Sequence, residues 1–151
     1  MVPHEMTETP RHSVSVAAAI FDDSGENVLL IKRRDNGNWE PPGGVLELDE
    51  TIEQGLRREV REETGAEIRV GPLTGVYKNM PRGIIALVFA CELKGAHESG
   101  SVEASEVAWV PLSRIDSRCA EIYAVRVRDA RNASTPSIRH HDGKRILGSS
   151  S

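Results

Sequence analysis

Apolar positions along this chain follow two rhythms. From Ser13 to Phe21, Val14, Val16, Ala18 and Ile20 alternate with other residues, the period of a strand with one buried face. Asp22-Asp23-Ser24-Gly25 carries turn chemistry. Val28 to Ile31 then returns as a second, unbroken apolar strand. The rhythm changes over Glu50 to Thr64, where Ile52, Leu56 and Val60 recur at the i, i+4, i+8 spacing of a helix. Asp49 reads as its N-cap, Glu50 and Glu53 suit the positive end of the helix dipole, and Gly65 reads as the glycine that stops it. Gly55 lies inside this helix at a cost of about 1 kcal/mol relative to alanine, which points to close approach of a neighbouring strand.

Beyond the helix, Glu67 to Val70 and Leu73 to Lys78 read as two short strands around Gly71-Pro72, and Asn79 to Gly83 as a loop. Ile84 to Leu93 is a continuous apolar run, suited to a central strand covered on both faces. Ala96 to Ala104 is polar. Glu106 to Val110 predicts a closing strand, Leu112 to Ile115 a short helical start, and Arg118 to Ala130 a helix with Ile122, Val125 and Val127 near one side. Residues 1–12 form a loose lead-in, 13–130 a single domain, and 131–151, without periodicity, a mobile tail. Strands mixed with one or two long helices give an α/β (α+β) class.

Composition narrows the function classes. A chain of 151 residues suffices for one domain with a proper core. Its net charge of -4 argues against coating nucleic acid, which asks for a basic surface. No apolar stretch approaches the length of a membrane span, and no secretory leader is read at the start. Cys91 and Cys119 lie far apart without a CxxC pair. The expectation is a cytoplasmic protein with reduced thiols and no membrane partner.

The candidate chemistry sits on the helix. Glu59, Glu62 and Glu63 stand at i, i+3 and i+4, so three like charges share one face and repel one another. A hard divalent cation would reverse that repulsion; an ordinary solvated face, balanced by Arg57, Arg58 and Arg61, is the competing reading. Lys32-Arg33-Arg34 is either a plain strand exit or a grip for phosphate. Trp39 belongs to the core or flanks the site. His140-His141 beside Asp142 has the residue types of a metal cluster, but within a tail that reading is weak.

The stretch Gly44 to Ala66 decides among these. Gly44, Glu50, Arg58-Glu59, Val60, Glu62-Glu63, Gly65 and Ala66 fill every required position of the Nudix box, so the chain resembles the Nudix hydrolase family. Trp39-Glu40-Pro41-Pro42-Gly43-Gly44 resembles the family's usual approach to the box, with Pro41 where leucine is commoner.

The resemblance implies an α/β/α sandwich with a mixed, curved sheet and a loop-helix-loop catalytic motif. It implies a hydrolase that cleaves the pyrophosphate bond of a nucleoside diphosphate linked to another moiety, using Mg2+ or Mn2+. Gly43 (by its carbonyl), Glu59, Glu62 and Glu63 are the implied metal ligands, with Glu59 either binding metal or orienting the attacking water, and Glu59, Glu62, Glu106 and Arg58 make up the implied catalytic set. Arg58 is expected to hold Glu50 or Glu59 in place, and Glu106 is the preferred base over Glu103 and Glu62. Arg33, Arg34, Gly44 and Glu50 make up the expected substrate-binding set. Pro81 lies near where ADP-ribose-cleaving members carry a proline, although an ordinary turn explains it equally. A homodimer is expected by analogy alone. The competing class is a Nudix-like nucleotide-binding or regulatory domain without turnover; the intact box weighs against it.

Overall fold

The first strand, β1 (Ser13–Ile20), holds the layers together in the computed structural model, which describes residues 9–95, 104–132 and 134–148. It is followed by β2 (Asn27–Lys32), β3 (Trp39–Glu40), β4 (Gly43–Val45), α1 (Ile52–Thr64), β5 (Ile68–Asn79) and β6 (Ile84–Leu93). Next come β7 (Glu106–Pro111), a 3-10 turn at Leu112–Arg114 that runs into α2 (Ile115–Arg118), α3 (Glu121–Asn132) and β8 (Ser137–His141). One sheet has the order β4-β1-β6-β5-β8, the other β3-β2-β7. The larger sheet is mixed, since β1 pairs parallel with β6 and β5 with β8 while the remaining pairs are antiparallel.

Side-chain alternation on β1 separates two cores. Val16, Ala18 and Ile20 pack with Leu56 and Val60 of α1, while Ala17 and Ala19 pack with Tyr77 and Val88 beneath Val125 and Ala130 of α3. Both faces of β1 are therefore buried, where the alternation predicted one. A third cluster joins Val28, Leu30 and Val110 to Ile115, Ala124 and Val127. The result is an α+β fold with α1 and α3 on opposite faces of the mixed sheet. Leu56 and Val60 are fully buried, each contributing about 1.5–3 kcal/mol by removal from water.

The start of α1 differs from the expected cap at Asp49. Thr51 Oγ1 accepts from the Gln54 amide at 3.1 Å, and Gln54 Oε1 accepts from the Thr51 amide at 2.8 Å. This reciprocal capping box satisfies two backbone donors that Asp49 does not reach. The buried stripe shifts with it: Ile52 is exposed, and Gly55, Leu56, Val60 and Thr64 face inward. A methyl at Gly55 would run into Leu46 and Glu50, so the close approach is to the β4–α1 connection rather than to a strand. Gly65 ends the helix at φ 73°, donating to the Arg61 carbonyl.

Gly71-Pro72 does not divide two strands. β5 runs through it with register shifts around Leu73. The expected mobile tail is also corrected, because residues 137–141 form β8 on the outer edge of β5. Arg139 of β8 donates twice to Asp129 of α3, at 2.7 and 2.8 Å, and the Tyr77 hydroxyl donates to the same carboxylate at 2.7 Å. Burial opposes the charge on Asp129, yet Arg139 and Tyr77 hold its pKa below the usual aspartate value. The Ile146 amide adds a bond to Glu121 at 2.9 Å. Among the described residues no helix is long and apolar enough to cross a membrane. Cys91 and Cys119 are free and buried.

Candidate active site

The box is assembled where the edge strand β4 meets α1. Gly43 and Gly44 pair with Ala17 and Val16 of β1. A methyl on Gly43 would strike the β1 backbone, and a methyl on Gly44 would occupy the place of the Glu59 carboxylate. Gly43 therefore leaves no room for a side chain, whereas Gly44 admits one only if the Glu59 carboxylate moves.

Arg58 is the hub of the site. Its Nε and Nη2 donate to the two oxygens of Glu50 at 2.8 and 2.7 Å, and Nη1 donates to Glu59 and to Glu62 at 3.1 Å each. Nη2 also donates to the Val45 carbonyl. One guanidinium thus ties the β4–α1 loop to two helix carboxylates by charge-assisted bonds. The hydrogen bonds from Arg58, followed by that from the Glu47 amide, hold the Glu50 carboxyl down to about 2.

Glu63 is held apart from that set. Its Oε1 accepts from the Gly43 amide at 2.7 Å. Burial pushes its pKa up to about 8; Glu59 and Glu40 add to the rise, while the Gly43 amide and Arg33 oppose it. The three helix carboxylates share one face, but among the described residues no group of three or more His, Cys, Asp or Glu is gathered into a metal cage. The reason is visible in their partners: Arg58 draws Glu59 and Glu62 towards itself while Gly43 holds Glu63. The donor set is nonetheless all oxygen and rich in carboxylate, which suits a hard divalent cation.

The remaining expected residues are spread around this centre. Arg33 bonds Asp35 through two nitrogens at 2.9 and 2.8 Å and reaches Glu40 at 3.2 Å. Arg34 donates to the Ala104 carbonyl. Glu106, at the start of β7, faces Lys32 at 3.8 Å across the β2 pairing and makes no contact with the box carboxylates among the described residues. Glu103 lies outside the described residues. Trp39 packs into the cluster below α3, with the Arg118 guanidinium over its ring. His140 and His141 alternate along β8, so His141 points inward and His140 is exposed. Pro81 sits in the β5–β6 turn.

Sequence reasoning missed Glu40 as a site residue. It is 8% exposed on β3, burial raises its pKa against the pull of Arg33, and its charge acts on Glu63. It also missed Arg126, buried on α3 where a charged residue reads as surface.

The NUDIX domain family profile matches residues 11–129, which span β1 to most of α3. The chain belongs to the Nudix family. It is a Nudix pyrophosphohydrolase, and its relatives agree in kind. A MutT-like protein of Streptomyces ambofaciens is 51% identical over 145 residues, covering 96% of this chain and 94% of its own. An ADP-ribose pyrophosphatase of Methanocaldococcus jannaschii is 36% identical over 110 residues, covering 68% of this chain and 64% of its own. In three dimensions, a Nudix hydrolase from Nitrosomonas europaea superposes with a TM-score of 0.74 at 23% identity, over 89% of this chain and 82% of that one. This last likeness speaks for the fold alone.

Proposed function

We propose that this Nudix enzyme hydrolyses, with Mg2+ or Mn2+, the pyrophosphate bond of a nucleoside diphosphate linked to another moiety: a nucleoside triphosphate, a nucleotide sugar or an ADP-ribose type compound. Glu59, Glu62, Glu63 and the Gly43 carbonyl would hold the ions. When bound, such ions neutralise the phosphate oxygens and lower the pKa of a coordinated water. The carrying observation is the Arg58 hub, which holds Glu59 beside Gly44, binds Glu62 through the same nitrogen and fixes the loop through Glu50. Such fixed placement is what phosphoryl transfer asks of a protein, since positioning and charge supply most of the rate.

Within this reading Arg58 is a positioning residue, and Glu62, whose side chain is 39% exposed, is the box carboxylate most open to water. Proton acceptance falls to Glu62 or Glu106. A cytoplasmic location and a homodimer belong to the same reading and rest on the resemblance.

The test is release of phosphate products from a panel of triphosphates, nucleotide sugars and ADP-ribose, with Mg2+ or Mn2+, for wild type, Glu62→Gln and Glu106→Gln. Turnover of one class that vanishes in Glu62→Gln supports the reading. A loss confined to one limb of the pH profile in Glu106→Gln would assign the base there. Nucleotide bound and recovered whole from every reaction would instead make the protein a binding module.

A further inference from the structure

His141 is a buried titratable group that no step at the box uses. It ends β8 with 1% of its surface exposed. Its carbonyl accepts from the Met80 amide at 2.9 Å, and Ile146 pairs back against it. The ring has a neighbour at each nitrogen. The Gly143 amide donates to Nδ1 at 3.0 Å, and Arg126 Nη2 lies 3.3 Å from Nε2.

Both neighbours are donors, and this sets the protonation of the ring. With Nδ1 accepting from Gly143, a neutral imidazole carries its proton on Nε2, where it meets guanidinium N–H. The other tautomer accepts from Arg126 and sets its N–H against the Gly143 amide instead. Each neutral form carries one such mismatch. The imidazolium carries both, and adds a positive charge beside a guanidinium in a site shielded from water. Arg126 has little room to yield: it is 9% exposed, and its guanidinium carbon lies 5.0 and 5.1 Å from the Tyr77 and Tyr123 ring centres. Its Nε already lacks a hydrogen-bond partner among the described residues.

The acids around the ring are committed elsewhere. On α3, Asp129 accepts from Arg139 and Tyr77, and Glu121 accepts from the Ile146 amide at 2.9 Å. Beyond β8, Asp142 accepts from the Lys144 and Arg145 amides at 2.9 Å each. On β5, Lys78 stands in register with His140, and the Tyr77 phenol is kept neutral by burial. Asp142 favours a charged His141, but burial, Arg126 and His140 outweigh it and hold the ring below the ordinary 6.5. A released strand takes up its proton at that ordinary value, so the stability of the closed strand is full above pH 6.5 and falls from there down to the lowered value. We propose that His141 is a proton-sensitive latch on the sheet edge: in mild acid, β8 and the return through Leu147 loosen from β5 while α1 and the box stay folded. Among the strands β8 pairs with β5 alone, whereas β5 keeps β6 on its other side. β4, which carries Gly43 and Gly44, lies at the opposite edge, so the latch does not depend on what the box hydrolyses.

Amide hydrogen exchange of the full chain at about pH 7.5 and about pH 5.5, corrected for the intrinsic pH dependence of exchange, tests the latch. The opening equilibrium of residues 137–141 is expected to be about tenfold larger at the lower pH, the factor for one proton taken up about one pH unit below its unfolded value. The amides of α1 should keep their protection. In His141→Gln, whose side chain does not titrate, the rise should vanish. Equal protection of β8 at both pH values in the wild type, a rise of the same size in His141→Gln, or a rise shared evenly by α1 would overturn the proposal. Should His141→Gln fail to fold, NMR titration of the wild-type histidine rings decides. A His141 midpoint below about pH 5.5 supports the latch, and one at or above that value overturns it.

Discussion

Replacing Gly44 with alanine tests how strand and helix set the site. The added methyl falls on the Glu59 carboxylate, which must rotate away and give up its 3.1 Å bond to Arg58. A buried charge-assisted bond is worth about 1.5–3 kcal/mol, but the Arg58 side chain is 28% exposed, so solvent reduces the loss to about 1 kcal/mol. In a domain of this size that lowers the thermal midpoint by about 2–4 °C. Activity should suffer more, because displacing a group by about 1 Å in a positioned site costs on the order of a hundredfold. The assay pairs thermal melts with kcat on the best panel substrate for wild type, Gly44→Ala, Glu59→Ala and the double variant. Removing the carboxylate makes room for the methyl, so Gly44→Ala should cost little stability in the Glu59→Ala background, a non-additivity expected of side chains in contact. Wild-type kcat in Gly44→Ala, or a stability penalty of equal size in both backgrounds, would refute the reasoning.

Other outcomes follow from the same geometry. Thr51→Ala removes the N-cap bond to Gln54 and should lower unfolding stability by about 1 kcal/mol, read from the urea midpoint; an unchanged midpoint would place the cap elsewhere. Asp129 has its pKa lowered in the folded state, so its contribution is present above the unfolded value of 3.8 and lost as pH falls through the folded one. Asp129→Asn should therefore flatten the acid limb of the stability profile below about pH 4 and raise amide exchange across residues 137–141. Adding Mg2+ or Mn2+ should raise the thermal midpoint of the wild type, as a ligand of the folded state does, and Glu62→Gln/Glu63→Gln should abolish most of that rise. An equal rise in the double variant would move the ions away from the box.

What the sequence disclosed was whatever obeys periodicity or spacing. Ile84 to Leu93 appears as β6 with the expected bounds, and Gly65 ends α1. The box residues could be named because their spacing is fixed along one helix. Thr51 was passed over although Gln54 three residues later completes a capping box, because Asp49 is an equally good cap type and pattern alone does not rank them. Gly71-Pro72 reads as a break, yet β5 absorbs it as a bulge where Gly71 crowds the Ala90 carbonyl. β8 has no apolar alternation to announce it; its less exposed residues are Ser137, Arg139 and His141, and it forms because β5 offers an edge and Asp129 an anchor. Glu40 and Arg126 escaped for a related reason. Charge reads as surface until a partner from another element is seen, and theirs come from the turn after β2 and from α3 for Glu40 and from β5 and β8 for Arg126.

Among the described strands, β8 at one edge of the larger sheet is also the latest to be synthesised. Every residue of the box, and both sheets apart from β8, has been synthesised before Ser137 is added. Until then β5 presents a bare row of amides and carbonyls to its surroundings, a template for pairing with other chains. A premature stop after α3 would thus spare the whole catalytic motif and still yield a protein prone to aggregate. Loss of β8 would then cost the cell soluble enzyme rather than chemistry.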